Sequence, residues 1–547
     1  MTKHRSSVAV WTATLSMGLV SCSSSDSGGA GTGGFYATGG STGSSAGSGA
    51  TSATGGAGAT GAAGASGGFG ATGGVGAAGA VAPTGGVGAV GGVGPTGGVG
   101  VGGGGVGASG GAGASGGVGP TGGTNGIPDP SGPLKPRVVV LTDISTWETD
   151  DHESMIRYLV HADLFEIEAL VLSTGYSYDE ADETTQMGIL NGIIDSYEVD
   201  LPNLLKRSEQ VGHDFDDAKQ PIGYWPSPQY LRSRSMMGSL RKYQAAIGEG
   251  NDSPGSEYII QLAAENDDRP VWVTVWGGGN TMCQAVYRAQ TDMSEADYHA
   301  FLEKTRIYTI TDQDRHYRDG GDSCHDEMRG KTGDHFLFIW DECAWKRHNS
   351  TGKSNWGQYT SHIQGHGSLG GQYPAPKYGV EGDTPSFLYL MPTGLNDPDD
   401  PSQCSWGGTY ESSGNNLWRD AGSCGSYFDR FYPAAFNNFA ARMDWAADGA
   451  GNRNPVIVLN GEEGAVSVLR NTDAPGTSVT FDASATYDPD GDNLTFSWWT
   501  QSGDVNISGE NTHTATVQVP AGSAHLILEV TDDGTHNLSA YRRVVFN

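Results

Sequence analysis

Basic residues are scarce. The 547-residue chain has 31 Lys and Arg against 62 Asp and Glu, a formal net charge of −31. Binding a nucleic-acid backbone needs Lys and Arg, so no nucleic-acid partner is expected, while a neutral sugar or glycoside is compatible. Cysteine is also scarce: Cys22, Cys283, Cys324, Cys343, Cys404 and Cys424 are the full set. None of them has CxxC or Cys/His spacing, so no zinc site is expected. Residues 24 to about 134 lack almost all charge and most aromatics. They repeat Gly, Ala, Ser, Thr and Val in units such as GVGPTGG, without the strict third-residue glycine of collagen. Such a segment cannot bury enough surface to offset its ordering entropy, and it reads as a flexible stalk.

The apolar run near the start, Val8 to Val20, is too short to cross a bilayer. It follows Lys3 and Arg5 and ends in Leu19-Val20-Ser21-Cys22, so it reads as an export signal with a bacterial lipobox. Cys22 is then the lipidated residue; the alternative is an ordinary signal peptide with an incidental cysteine. Ser23 stands where an inner-membrane retention Asp would sit, which points to the outer membrane or cell surface. The expected organisation is 1–22 signal peptide, 23–134 stalk, 135–453 α/β domain and 454–547 small β-sandwich. Export permits disulfides. Cys404 with Cys424, flanking a Gly/Ser/Asn-rich loop, is the first expected pair, and Cys324 with Cys343 the second. Cys283, in a predicted helix over Thr281–Gln290, reads as a buried thiol.

From Lys135 the pattern is globular. Val138-Val139-Val140-Leu141 is a short apolar run without polar alternation, as in a strand buried on both faces of a parallel sheet. Strands are predicted over 165–172, 270–276, 306–311, 336–340 and 386–391. Helical periodicity falls between them, and a closing helix spans 431–447. Alternating strands and helices argue a mostly parallel sheet with helices on both faces. After about Arg453 short strands alternate with turns, as in a small sandwich. There, Asp488-Pro489-Asp490-Gly491-Asp492 before Thr495–Trp499 resembles the turns of PKD-type immunoglobulin-like modules. Trp498 and Trp499 point to opposite faces, one into the core and the other exposed or covered by the α/β domain.

The first strand ends in Thr142-Asp143, and the loop after it brings Glu148, Asp150, Asp151 and Glu153 to the start of a helix. This puts several carboxylates at the carboxyl end of a parallel strand, where ligands of open α/β sheets sit. Either a hard dication such as calcium offsets their repulsion, or the loop is simply solvated and caps the helix.

Thr142-Asp143 followed by Asp150-Asp151 resembles the nucleoside hydrolases, and more closely the cellulose-binding, nucleoside-hydrolase-like family. Three further stretches carry the likeness: Ile363 to Pro374, Glu381 to Leu388 and Gly394 to Pro398. The resemblance implies calcium held by Asp143, Asp151 and Asp383 and a carbonyl of the Gly279–Asn280 turn, with Asp150 as general base. Asn280 joins Glu148, Asp312 and Asp314 as expected substrate contacts; the last two stand at a predicted strand end with Gln313 and serve either the pocket or a loop cap. His366, between two glycines, is either a proton donor to the leaving group or a structural histidine. The loop Ile144 to Thr149 is longer than the family's, so either Glu148 replaces a ligand there or the pocket holds no metal.

Two function classes follow. One is an exported, calcium-dependent hydrolase of N-glycosyl (nucleoside-like) or related glycosidic bonds. The other is a cell-surface polysaccharide-binding protein whose aromatic loops, with Tyr224, Trp225, Trp406 and Tyr410, stack on sugar faces.

Overall fold

A computed structural model describes residues 132–176, 181–210, 212–213, 220–242, 246–314, 323–422 and 426–547. Cys22, the expected stalk up to residue 131 and Cys424 lie outside the described residues. The α/β part is one eight-stranded sheet: β1 Arg137–Thr142, β2 Glu166–Leu172, β3 Ser235–Met237, β4 Val271–Val275, β5 Thr305–Ile310, β6 Leu337–Asp341, β7 Tyr410–Ser412 and β8 Leu417–Asp420. Their order is β3-β2-β1-β4-β5-β6-β8-β7, and all pairs are parallel except β7 with β8.

The apolar run of β1 explains its place at the centre. Val138 and Val140 enter one core, Val139 and Leu141 the other, and all four are fully buried. Each buried aliphatic side chain contributes about 1.5–3 kcal/mol. Helices Asp150–Leu159, Glu183–Ser208 and Ser426–Asp448 cover the first face; Pro254–Ala264, Asn280–Asp292 and Glu295–Lys304 cover the second. No helix among the described residues is long and apolar enough to cross a membrane.

The chain winds from β1 outward through β2 to β3, then crosses to β4 on the other side of β1. Strand order therefore reverses between β1 and β4, which opens a crevice at their carboxyl ends.

Two expectations are corrected. The run 386–391 is not a strand: Thr384–Leu388 is a short helix with Pro385 in its first turn. Proline is pre-set for that place, and a short apolar run does not by itself tell strand from buried helix. The disulfide pairs are also different. Cys283 is no thiol; it is bonded to Cys324, joining helices Asn280–Asp292 and Cys324–Thr332. Cys343 is disulfide-bonded as well, so the 324–343 pair does not exist. Cys404 keeps a buried thiol 3.3 Å from Gln501 Oε1, so the pair with Cys424 is excluded.

The C-terminal strands form two facing sheets. One holds Leu469–Asn471, Ser539–Phe546, Ala524–Asp532 and Leu494–Ser502; the other holds Ser478–Asp482, Thr514–Gln518 and Ile507–Ser508. Trp498 lies in the sandwich core. Trp499 faces the α/β domain, under the Arg430 guanidinium at 3.9 Å from its ring centre. The sandwich docks on Gly394 to Pro398 and the residues after it. Tyr541 N donates to Thr393 O (3.1 Å), Arg543 N to Gly394 O (3.0 Å), and Gln501 Nε2 to Ser402 O (2.8 Å). Gly394 has φ 81°, and a Cβ there would lie 2.1 Å from Tyr541 O, so only glycine admits this approach.

Candidate functional site

The carboxyl-end crevice between β1 and β4 collects the acidic residues. Asp143 follows β1 and is fully buried. Asp150 and Asp151 open helix Asp150–Leu159, whose first turn favours negative charge. Asp383 precedes helix Thr384–Leu388. Ligand oxygens of Asp150, Asp151 and Asp383 lie within 4.8 Å of one another, as do those of Asp143, Glu148 and Asp151. Chain segments more than 200 residues apart thus meet at one point, and the long loop does not displace the Asp pair. Thr142 Oγ1 donates to Asp151 Oδ1 and accepts from Ile144 N (3.1 Å), fixing the turn out of β1.

Glycines keep the pocket open. A Cβ at Gly175 or Gly277 would come within 2.2 or 2.7 Å of the Asp143 carboxylate, and one at Gly382 within 2.6 Å of Asp150 Oδ2. Burial pushes the carboxyls of Asp150, Asp151 and Asp383 above the usual range. The charges of Asp143, Asp150 and Glu148 push Asp151 further, and those of Asp151, Asp150, Asp143 and Glu148 do the same to Asp383. Asp383 Oδ2 is buried with no hydrogen-bond partner. An all-oxygen donor set, crowded like charges and an orphaned buried oxygen fit a hard dication such as calcium.

Behind the pocket stands Glu381, which sequence reasoning did not single out. It is fully buried, and its carboxylate accepts from Arg157 (2.6 Å), His348 (3.0 Å), Tyr373 (2.9 Å) and Tyr359 (3.3 Å). Burial raises its pKa, but the Arg157 charge and the His348 hydrogen bond outweigh it and hold the group ionised. Its backbone has φ 52°, and its N–H donates to Glu153 Oε2 at 2.8 Å. This anchored, left-handed residue turns Gly382 and Asp383 toward the rim.

A second cluster lies one strand further along. Asp312 and Asp314 follow β5, and His325 belongs to helix Cys324–Thr332. His325 Nδ1 is 3.1 Å from Asp312 Oδ1 and 3.7 Å from Asp314 Oδ2, and Asp314 Oδ2 accepts from Gly279 N at 2.8 Å. Burial opposes charge on His325, but the hydrogen bond its ring N–H donates to Asp312 and the charges of both carboxylates raise its pKa; burial lifts Asp314 to about 6. Asn280 is buried and donates to Thr174 Oγ1 at 3.2 Å; Gly279 O takes the amide of Cys283 at 2.9 Å, the first turn of its helix. The Gly277–Gly279 loop thus separates the two clusters: Gly277 abuts Asp143, while Gly278 and Gly279 abut Asp314 and His325. His325 escaped sequence reading because only the fold brings it to the strand-end acids.

His366 is elsewhere. Its ring bonds Asp444 Oδ1 (2.9 Å) and Ser361 O (3.2 Å), and Asp444 also meets His536 of the sandwich (3.1 Å). It belongs to a domain contact, and no rim carboxylate is among its hydrogen-bond partners. The expected sugar-stacking aromatics are also corrected: Trp225, Trp406 and Tyr410 are buried in the core. Trp225 packs against Tyr197 and donates to Ser208 Oγ (2.9 Å), and Trp406 meets Tyr541 of the sandwich. Tyr224 is half-buried. The aromatics exposed near the acidic residues are Trp147, Tyr176 and Tyr378.

Residues 137–410 match the family described as cellulose-binding Sde182, nucleoside hydrolase-like domain, and residues 478–547 match the cellulose-binding protein Sde0182, C-terminal domain. None of the curated proteins matches the chain. A nucleoside hydrolase-related hypothetical protein from Saccharophagus degradans, described as associated with carbohydrate metabolism, is 32% identical. The match covers 76% of this chain and 99% of that one, with a TM-score of 0.64. The PKD domain of the KIAA 1837 protein is 23% identical over 14% of this chain and 76% of its own, at a TM-score of 0.12. With both segments matched in order and a solved relative similar over nearly its whole length, the chain belongs to the cellulose-binding family with a nucleoside hydrolase-like domain.

Proposed function

We propose that the acidic crevice binds the hydroxyls of a sugar together with calcium and hydrolyses its N-glycosyl or related glycosidic bond. The observation that carries this reading is the convergence of Asp150, Asp151 and Asp383 oxygens within 4.8 Å at the strand-order reversal. Asp143, Asp151 and Asp383 would hold the ion, with Glu148 beside them. Bound there, calcium supplies charge that neutralises the carboxylates and polarises hydroxyl or water oxygens. Asp150 accepts a proton from the attacking water as general base. Glu381 and Thr142 hold Asp383 and Asp151 in place. The His325–Asp312–Asp314 cluster keeps a proton on the same rim, and Asn280 lines the wall between.

A second reading is recognition of a polysaccharide without turnover. The exposed aromatics near the crevice and the family's cellulose-binding description favour it.

One experiment separates the readings. Calcium raises the melting temperature if it binds the folded state selectively. Asp150→Asn keeps that rise and lowers the hydrolytic rate on nucleosides and aryl glycosides by a factor on the order of 10²–10⁴. No release of base or aglycone by the wild type, together with retention on insoluble cellulose, would sink the hydrolase and leave the binding protein. No calcium response would remove the metal from both.

A further inference from the structure

Six large apolar side chains stand exposed among the described residues, and two of them touch: Trp147 and Tyr378, 51% and 54% exposed, with ring centroids 4.8 Å apart and planes at 31°. Both flank the acidic crevice. Trp147 is three residues before Asp150, and Tyr378 is five before Asp383. Trp147 sits in the very loop, Ile144 to Thr149, that is longer than the family resemblance leads one to expect.

That loop is fastened down. Ser145 Oγ accepts from Trp147 N (3.1 Å) and Glu148 N (3.2 Å). Lys377 ties it to the Tyr378 segment: its backbone N donates to Thr149 Oγ1 (3.1 Å), and its Nζ donates to Thr146 O. The extra residues thus leave the Asp pair in place and raise an indole beside a phenol at its mouth. Isolated exposed apolar residues need no explanation, but two fixed rings in contact beside a polar crevice mark a binding surface.

The chemistry of the surroundings selects the occupant. The crevice is crowded with carboxylates, which repel anionic chains. The two rings already contact each other, so no slot remains between them for a flat base to enter. Their outer faces suit a saturated ring whose axial face carries only C–H, as in a pyranose with equatorial hydroxyls. Three residues of chain reach at most about 10 Å, so the indole stands within a sugar unit or two of Asp150.

We propose that Trp147 and Tyr378 form a glycosyl-stacking subsite at the mouth of the acidic crevice, and that the ligand is a neutral saccharide chain with one unit on the rings and another among the carboxylates. This rests on the sugar-binding reading above and adds the length and chemical class of the ligand.

The test is calorimetric binding of cellohexaose and of cellobiose to the full chain in calcium. The double variant W147A/Y378A binds cellohexaose about tenfold more weakly or worse, the worth of an aromatic stack. Its calcium-induced rise in melting temperature is unchanged. Tyr487→Ala, at an exposed ring of the sandwich, binds as the wild type does. Undiminished cellohexaose binding by W147A/Y378A overturns the subsite and leaves the sugar-binding reading standing. Loss of adenosine binding without loss of cellohexaose binding assigns the rings to a base and also overturns it. If the wild type binds no saccharide, the subsite and the sugar-binding reading fall together.

Discussion

At the residue scale, Asp383 shows how a site trades stability for chemistry. Its buried, unpartnered Oδ2 faces the charges of Asp150 and Asp151. An uncompensated buried charge costs more than a neutral amide in the same place. Asp383→Asn therefore melts at higher temperature than the wild type in chelator, by a few degrees for about 1–2 kcal/mol, and no longer responds to calcium. Differential scanning calorimetry with and without calcium checks both halves. A wild type that melts above the variant in chelator contradicts the repulsion argument. The placing of Asp143, Asp150 and Asp151 on one rim was legible because they follow a strand of a parallel sheet, whereas Asp383 came from the family resemblance, since the strand expected after it is a helix. Glu381 was not legible: its role depends on Arg157, His348, Tyr359 and Tyr373, which only packing assembles. Trp147 and the buried Trp225, Trp406 and Tyr410 make the same point for aromatics, since composition does not say which ring the core takes.

At the scale of elements, helices and strands with strong periodicity lie close to where the sequence places them. The run after Asp383 does not, because the five residues Thr384–Leu388, opening on Thr-Pro with only Phe387 and Leu388 as large apolar side chains, suit a helical turn as well as a strand. Cysteine pairing was illegible for a different reason, namely that it depends on which helices become neighbours. The Cys283–Cys324 bond joins two helices on one face of the sheet and closes 41 residues of chain. In the chain-entropy account a loop of that size is worth about 4 kcal/mol. Cys283→Ala should lower the urea midpoint and steepen the slope, because the denatured chain without the cross-link exposes more surface. Because Cys324 Sγ lies 3.2 Å from Asp314 Oδ2, the same variant also loosens the Asp314–His325 end of the rim. An unchanged midpoint would mean that helix packing alone holds this face.

At the scale of the whole molecule, the sandwich and the α/β domain share a polar, buried seam. Arg543 is its centre, reaching Gln501 Oε1 (2.7 Å), His525 Nδ1 (2.9 Å) and the carbonyls of Leu395 and Cys404. Burial first, and the Arg543 charge second, hold the His525 imidazole down at about 4. Unfolded, the same histidine titrates near 6.5. Between these values the unfolded chain binds more protons, so this part of the stability is lost as the pH falls from about 6.5 to 4. His525→Gln flattens that part of the melting-temperature profile, measured from pH 7.5 to 4. An identical acid profile in the variant would rule His525 out as its cause. The shift from alternating strands and helices to short strands and turns after about Arg453 sets the expected boundary, but the seam was not readable, since Gly394 and Arg543 are 149 positions apart in the chain.

The docking loop has one more consequence. Strand Ser539–Phe546 pairs on one side with Ala524–Asp532. On the other side, Leu469–Asn471 covers residues 544–546, while the carbonyls of Thr393 and Gly394 take the amides of Tyr541 and Arg543. Strand Ser539–Phe546 thus offers no long open ladder on which a foreign strand could add itself. A loop that fastens two domains also guards the chain against its own copies, so loosening Gly394 would be felt first as self-association.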